Sequence, residues 1–417
     1  MADKMRWVNA LSTRPSLEAA VREVVERSQA QLDAPADLGL VFISSTFASE
    51  YPRLLPLLRE ALDVPVLIGC GGGGVVGMAA PNHIQEIEGE TALSLTLAHL
   101  PGVKLHAFHL SADDLPDLDS PPDAWAELVG VDPAEQPNFI LMAEPVFSSI
   151  NDLLQGLDYA YPGAAKVGGL TDGSGMGSGN LFCDRKLYRE GVVGVALSGN
   201  LVMETIVAQG CRPIGQPFRV VEGDRNIMIK IAPESAQPGS ATDSTPLEAL
   251  QELLQDLSED DRELAQHSLF VGIAQSEFKQ QLEQGDFLIR NLLGVDPRAG
   301  AVAIGDRVRP GQRIQFHLRD ADASATDLET LLRRYQAQTG GAAAGALMFS
   351  CLGRGEGLYG KPNFDSALFH RYISQIPVSG FFCNGEIGPV GSTTFLHGYT
   401  SVFGICRARE EGDGVMG

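Results

Sequence analysis

A unit of strand, helix, strand and glycine-rich stretch recurs along this chain, and that recurrence constrains the fold more than any single motif. In the first copy, Leu38-Gly-Leu-Val-Phe-Ile43 reads as an apolar strand and Pro52 to Leu62 as a helix carrying Leu54, Leu55, Leu57, Leu58 and Leu62. Pro56 lies in that helix's first turn, where a missing N–H matters least. Val64-Pro-Val-Leu-Ile68 then runs into Gly69-Cys-Gly-Gly-Gly-Gly-Val-Val-Gly77, followed by the strand-like stretches Thr91–Leu97 and Val103–Leu110. The order repeats with Asn138–Met142, Ile150–Tyr159, Ala165–Gly168 and a second glycine stretch, and then Gly191–Leu197 and Leu201–Val207 as paired strands. It repeats again with Gly345–Phe349, Phe364–Ser374, Ile376–Val378, Gly380–Gly388, Thr393–Tyr399 and Val402–Arg407. A period this long indicates duplicated supersecondary units, not a solenoid of short repeats.

Strand–helix–strand followed by a β-meander predicts an α/β (α+β mixed) protein of two related domains, with mixed sheets flanked by helices. Pro15 to Leu32 has helical apolar spacing and forms a helical extension over residues 1–34. The polar Pro233–Pro246 stretch reads as an exposed loop, Pro246–Leu257 and Asp322–Ala337 as helices, and Ile227–Ile231 as a strand. The domain change falls near 225, giving domains 35–225 and 226–417.

Composition narrows the function classes. Lys and Arg number 31 against 53 Asp and Glu, a net charge of −22 that repels phosphate backbones and anionic lipids, so nucleic acid is not the expected partner. No apolar run of about 18 residues offers a membrane span, and no signal peptide is visible. Six cysteines without a CxxC pair fit reduced thiols in a cytoplasmic protein. Acids are not evenly spread: twelve against four bases lie in 230–290, but only three against three in 340–406. A charge-poor, Gly-rich segment in an acidic protein is core or pocket wall.

Gly69-x-Gly71-x-x-Gly74 and Gly72-x-Gly74-x-x-Gly77 match a dinucleotide pattern, but no helix opens after them to meet a pyrophosphate. They read as a tight strand exit or as backbone lining a pocket; Gly173–Gly179 reads as a linker or flap. Ser350-Cys-Leu-Gly-Arg-Gly355 directly follows a strand, where open α/β sheets place ligands, and Arg354 could grip a carboxylate with its fork of donors. Phe381-Phe-Cys-Asn-Gly-Glu-Ile-Gly-Pro389 brings a thiol, an amide and a carboxylate within four residues. A nucleophilic reading pairs Cys351 or Cys383 with His397, oriented by Glu386 or Asn384. The other histidines have no metal-ligand spacing, and neither GxSxG nor a P-loop motif occurs, so no metal and no cofactor is expected.

The C-terminal run resembles the second half of the FIST family. The resemblance rests on Gly345-Ala-Leu-Met-Phe-Ser-Cys-Leu-Gly-Arg-Gly355, Pro377-Val-Ser-Gly-Phe-Phe-Cys-Asn-Gly-Glu-Ile-Gly-Pro389 and Phe395-Leu-His-Gly-Tyr-Thr400. Leu40-Val-Phe-Ile-Ser44, Val66-Leu-Ile-Gly-Cys70 and Gly168-Gly-Leu170 look like the family's N-terminal part. Where many members carry a Ser/Thr turn after the Gly-Cys pair, this chain has Gly71–Gly74, which leaves backbone contacts alone. The resemblance implies a sensory module of signal transduction that binds small molecules such as amino acids, with a signalling protein as a further partner. Other members are fused to signalling domains or an F-box; this chain reads as a stand-alone copy. The expected ligand site comprises Ser350, Cys351, Gly353, Arg354, Cys383, Asn384, Gly385, Glu386 and His397. There Arg354 holds a carboxylate, Asn384 and Glu386 read polar groups such as an α-amine, and backbone N–H groups near Gly353 and Gly385 complete the contacts. The alternatives are a cysteine-dependent enzyme built on Cys351 or Cys383 with His397, and a protein-interaction scaffold.

Overall fold

The structure is a computed structural model. It describes residues 4–410 except 174–179, 236–242, 276–278, 280, 283–284 and 339–341. Two compact units divide the chain, one made of residues 1–207 and 329–417, the other of 208–328.

The first unit is a threefold repeat. Its first copy runs β1 (Arg6–Ser12), α1 (Leu17–Leu32), β2 (Leu38–Ser44), α2 (Tyr51–Ala61), β3 (Val66–Gly72), β4 (Gly74–Ala80), β5 (His83–Glu88) and β6 (Leu93–His99). The second runs β7 (Val103–Leu110), α3 (Pro122–Val129), β8 (Asn138–Ala143), α4 (Ile150–Ala160), β9 (Lys166–Leu170), β10 (Leu181–Cys183), β11 (Lys186–Tyr188) and β12 (Val192–Gly199). The third begins with β13 (Val202–Ala208), after which the residues of the other unit intervene in sequence. Those residues form β14 (Cys211–Asp224), β15 (Ile227–Pro233), α5 (Pro246–Asp256), α6 (Glu259–Ala265), β16 (Leu269–Ala274), β17 (Phe287–Asp296), β18 (Ala301–Ile304) and β19 (Arg313–Arg319). The third copy resumes through α7 (Ala321–Gln338) with β20 (Gly345–Cys351), α8 (Gly355–Tyr359) and α9 (Phe364–Tyr372). It ends with β21 (Val378–Cys383), β22 (Glu386–Val390), β23 (Thr393–His397) and β24 (Ser401–Arg407).

Three six-stranded sheets result, ordered β1-β6-β2-β3-β10-β11, β7-β12-β8-β9-β22-β23 and β13-β24-β20-β21-β4-β5. In each, four strands come from one repeat and the last two are a hairpin lent by another. The central pairs β2/β3, β8/β9 and β20/β21 are parallel, as strand–helix–strand units require. One face of each sheet feeds a shared apolar core that includes Phe42, Met142, Val167, Phe349, Phe381 and Val402. The outer faces of the first two sheets are covered by helices. Leu17, Val21 and Val24 of α1 and Leu54 and Leu58 of α2 pack on Val41 and Leu95, and Trp125 of α3 and Leu153 of α4 on Phe139 and Leu141. In the third, Phe369 of α9 stacks on Phe403 at 4.8 Å.

The glycine stretches are the crossings between sheets. Gly72 ends β3 in the first sheet and Gly74 opens β4 in the third, so the run read as a tight strand exit or pocket lining lies mostly within strands. Three glycines occupy equivalent places: a Cβ on Gly69, Gly168 or Gly380 would lie 1.9, 1.8 or 1.7 Å from the carbonyl oxygen of Val41, Leu141 or Met348. Only a residue without a side chain lets these strands approach so closely. The stretch Gly173–Gly179, read as a flap, lies outside the described residues after Gly173.

The mixed α/β class with helix-flanked sheets is as the sequence predicts, but two readings change. The residues before 35 are not an appended helix, because β1 pairs along its length with β6. The strand pairs read as meanders separate: β6 and β7, β12 and β13, and β23 and β24 each enter different sheets. Alternation along one strand carries no record of which sheet receives it. The boundary near 225 falls inside the β14–β15 hairpin, where Asp224 pairs with Ile227.

The second unit is a closed barrel ordered β14-β15-β18-β17-β16-β19. Its interior is filled by Val220, Met228, Val271, Val302, Ile314 and Phe316. Burial pushes the His317 imidazole down to about 4, so this ring is a neutral core residue at pH 7.

The close strand approach yields a direct test. Gly69→Ala, Gly168→Ala and Gly380→Ala should each lower the urea-unfolding free energy by about 3 kcal/mol or more. Gly398→Ala, where an added Cβ meets nothing within 4 Å, should change it little. Equal effects at all four positions would contradict the repeat geometry.

Candidate functional site

Arg354 follows β20 and is fully buried. Its Nε donates to Asp365 Oδ2 at 2.7 Å and its Nη2 to Oδ1 at 3.0 Å, the two-pronged grip of a guanidinium on a carboxylate. Nη2 also donates to the Tyr359 hydroxyl at 2.6 Å and Nη1 to the Tyr399 carbonyl at 3.3 Å, while Tyr359 donates to Asp365 Oδ1 at 2.8 Å. The carboxylate that Arg354 holds is therefore the protein's own. The lent strand β5 adds to this knot. Glu86 Oε1 accepts from the Ser366 N–H at 2.7 Å in α9, and Glu88 Oε1 from the Glu356 N–H at 2.9 Å in α8. Burial, helped by the charge of Asp365, raises the Glu86 carboxyl to about 7. Sequence reasoning missed Asp365, Tyr359, Glu86 and Glu88, since Glu86 stands 280 positions from its partner.

A different group is built around Glu386, the first residue of β22. The lent hairpins place Leu181 opposite Cys70, Glu386 opposite Gly169 and Val75 opposite Phe381, each one residue on from the close-approach glycine. Two of these three equivalent positions are thus aliphatic core residues, and the third is a fully buried carboxyl group. Its Oε2 accepts from the Thr400 N–H at 3.1 Å, and the Cys351 thiol donates to the same carboxylate. The Cys351 N–H donates to the Thr400 carbonyl at 2.9 Å, so thiol, turn and carboxylate form one closed cluster. Glu386 Oε1 is buried with no hydrogen-bond partner. Burial raises this carboxyl to about 8, against the opposing pull of the Thr400 N–H, the Cys351 thiol and the Arg354 charge. A buried acceptor left unmatched is costly, which makes it a place where a donor on another molecule would be favoured.

The remaining sequence candidates surround these two groups. Cys351 is half-buried, and its Sγ accepts from the Gly353 N–H at 3.4 Å. Cys383 is its direct neighbour across the parallel pair, is fully buried, and donates to the Phe381 carbonyl at 3.5 Å. Burial holds the Cys383 thiol well above its ordinary range. Asn384 is exposed, with its N–H on the Leu170 carbonyl at 2.9 Å, and the Gly385 carbonyl accepts from the Leu170 N–H at 2.8 Å. Both backbones are engaged in holding β22 beside β9. Ser350 is buried, and its hydroxyl has no hydrogen-bond partner, as is true of its register partner Ser401. His397 is paired in register with Glu386, and its Nε2 lies 2.9 Å from the Gly388 carbonyl. The base beside Cys351 is therefore Glu386. Among the described residues no group of three His, Cys, Asp or Glu could hold a metal ion, and no helix is long and apolar enough to cross a membrane. Clefts of about 500 and 440 Å³ lie at the N-terminal ends of β8 and β9 and at the C-terminal end of β8, and neither is lined by these residues.

Comparison with known proteins identifies the family. The FIST N domain model matches residues 37–234, and the FIST C domain model matches residues 246–389. The chain belongs to the FIST family. FIST domains are associated with sensory roles in signal transduction. The uncharacterized protein MT0656 of Mycobacterium tuberculosis (strain CDC 1551 / Oshkosh) is 33% identical over 400 residues, covering 95% of this chain and 98% of that protein. The uncharacterized protein Mb0898c of Mycobacterium bovis is also 33% identical over 400 residues, covering 95% and 97%. An F-box/LRR-repeat protein of Arabidopsis thaliana is 30% identical over 115 residues, 24% of this chain and 22% of that one. Among solved structures, cyanuric acid hydrolase from A. caulinodans is 10% identical with a TM-score of 0.34, covering 97% of this chain and 100% of that one.

Two tests separate the roles of Arg354 and Glu386 in this FIST protein. Arg354→Ala leaves Asp365 buried and uncompensated, so unfolding should become easier by about 3–5 kcal/mol in denaturant titrations. A variant as stable as the parent would contradict the structural role. Glu386 ionises near 4.5 when unfolded and near 8 when folded, so between those values the folded state binds more protons. Stability accordingly falls as pH rises from about 5 to about 8. Glu386→Gln should flatten much of that decline in thermal unfolding followed at several pH values, leaving the smaller part due to Glu86. An unchanged profile would contradict the placement of the carboxyl group.

Proposed function

We propose that this FIST protein is a small-ligand-binding sensor of signal transduction, acting in the cytoplasm without catalysis. Its ligand is a small amine-bearing molecule such as an amino acid, received at the C-terminal edge of β20 and β21. The observation that carries the reading is the buried Oε1 of Glu386, an acceptor with no partner at a position that is aliphatic in the other two repeats. An ammonium group would supply the missing donor and the missing positive charge together. Cys351 beside Glu386 is half-buried, and its neighbour Leu352 and the nearby Asn384 are exposed. Recognition of a carboxylate falls to groups other than Arg354, which Asp365 already holds. A signalling protein that reads the loaded state is the natural second partner.

Titration calorimetry with a panel of free amino acids, simple amines and simple carboxylates tests this. An amine-bearing compound should bind, and Glu386→Gln should weaken it by roughly 10- to 100-fold, the worth of one charge-assisted hydrogen bond. Because Glu386 is mostly protonated at pH 7, binding of a cation should release close to one proton, measured by repeating the titration in buffers of different ionisation enthalpy. Binding confined to carboxylates, or binding indifferent to Glu386→Gln, would overturn the reading.

A further inference from the structure

Cys351 and Cys383 end adjacent parallel strands as direct register partners. Directly paired residues on neighbouring strands lie about 4.7–4.9 Å apart, inside the 4.4–6.8 Å range that a disulfide spans. Register partners also project to the same side of the sheet. Cys383 points into the shared core, where an added Cβ on Gly169 would lie 2.3 Å from its Sγ, so its setting is open on that side only because Gly169 has no side chain. Cys351 is half-buried, whereas the other five cysteines are buried. It touches the Glu386 carboxyl group, whose ionised form can accept its proton, and a backbone N–H that can stabilise negative charge on sulfur.

We propose that Cys351 is a site of oxidative modification by hydroperoxides, with Glu386 as the proton acceptor and Cys383 as the resolving thiol. In the first step the ionised fraction of Glu386, the minor form at pH 7, takes the Cys351 proton, and the thiolate sulfur attacks the peroxide. An S–O bond forms, the O–O bond breaks, and the leaving oxygen takes the proton from Glu386 and departs as water or an alcohol. The product is a sulfenic acid at Cys351. In the second step the Cys383 sulfur attacks that sulfur, the S–S bond forms, and the S–O bond breaks. The hydroxide leaves as water with the Cys383 proton. Two thiols are oxidised by two electrons and the peroxide is reduced by the same two. The disulfide ties the ends of β20 and β21 together beneath the Glu386 cluster. This inference does not require a bound ligand, so its failure and that of the ligand reading are separately visible.

The test treats the full chain with a small excess of hydrogen peroxide, quenches with N-ethylmaleimide and maps peptides by mass spectrometry without reduction. The expected product is a peptide pair joined through Cys351 and Cys383 that has lost two hydrogens. Cys383→Ser should instead leave a sulfenic acid at Cys351 that a dimedone-type probe captures. Glu386→Gln should slow the first step by about tenfold or more at pH 7. Oxidation spread evenly over the six cysteines, a Cys351 link to another cysteine, or an unchanged rate in Glu386→Gln would overturn the assignment.

Discussion

Each sheet of the repeat unit is finished by a hairpin that belongs to another repeat, and the remainder of that unit depends on this exchange. Without β10 and β11 the edge of β3 would be bare, and the same holds for β9 without β22 and β23 and for β21 without β4 and β5. Open edges of this kind invite pairing with other chains. The exchange is possible because Gly69, Gly168 and Gly380 let one strand lie against the backbone of its neighbour at each crossing. The three copies are thus locked by backbone pairing as well as by the shared core. No one copy buries its own inner face alone.

The same exchange creates the candidate site. Threefold repetition supplies three equivalent places beside those glycines, and two of them, Val75 and Leu181, serve the core. The third, Glu386, puts a carboxyl group into apolar surroundings, where burial favours its neutral form. That choice costs stability as pH rises from about 5 to about 8. The neighbouring cation offers little relief, since Arg354 is bound face to face with Asp365. The two conspicuous polar residues of the C-terminal motifs therefore have opposite characters. One is a satisfied structural pair that holds α8 and α9, and the other is an unsatisfied acceptor beside a half-buried thiol.

Much of the local structure was legible in the sequence, because each strand and helix of a repeat carries its own apolar period. The helices at 17–32, 51–61 and 150–160 and the strands flanking them are of this kind. What was not legible was the sheet to which each strand belongs. Gly71–Gly74 reads as a strand exit or pocket lining from its composition, yet it is the backbone crossing from one sheet to the next. For the site, the sequence singles out the residues after β20 and β21 by their types and their place after a strand, and the fold sets Cys351 beside Cys383 and Glu386. The role of Arg354 was not legible, because its partners Asp365 and Tyr359 have no fixed spacing that announces an ion pair, and Glu86 and Glu88 arrive from a distant repeat.

Native mass spectrometry of the wild-type chain and of Glu386→Gln, each incubated with an equimolar mixture of free amino acids, tests the central claim most directly. The account predicts a defined added mass on the wild type, released on denaturation as a single amine-bearing compound, and its absence from the variant. The same added mass on both proteins, or none on the wild type across the mixture, would contradict the assignment of Glu386 as the recognition group.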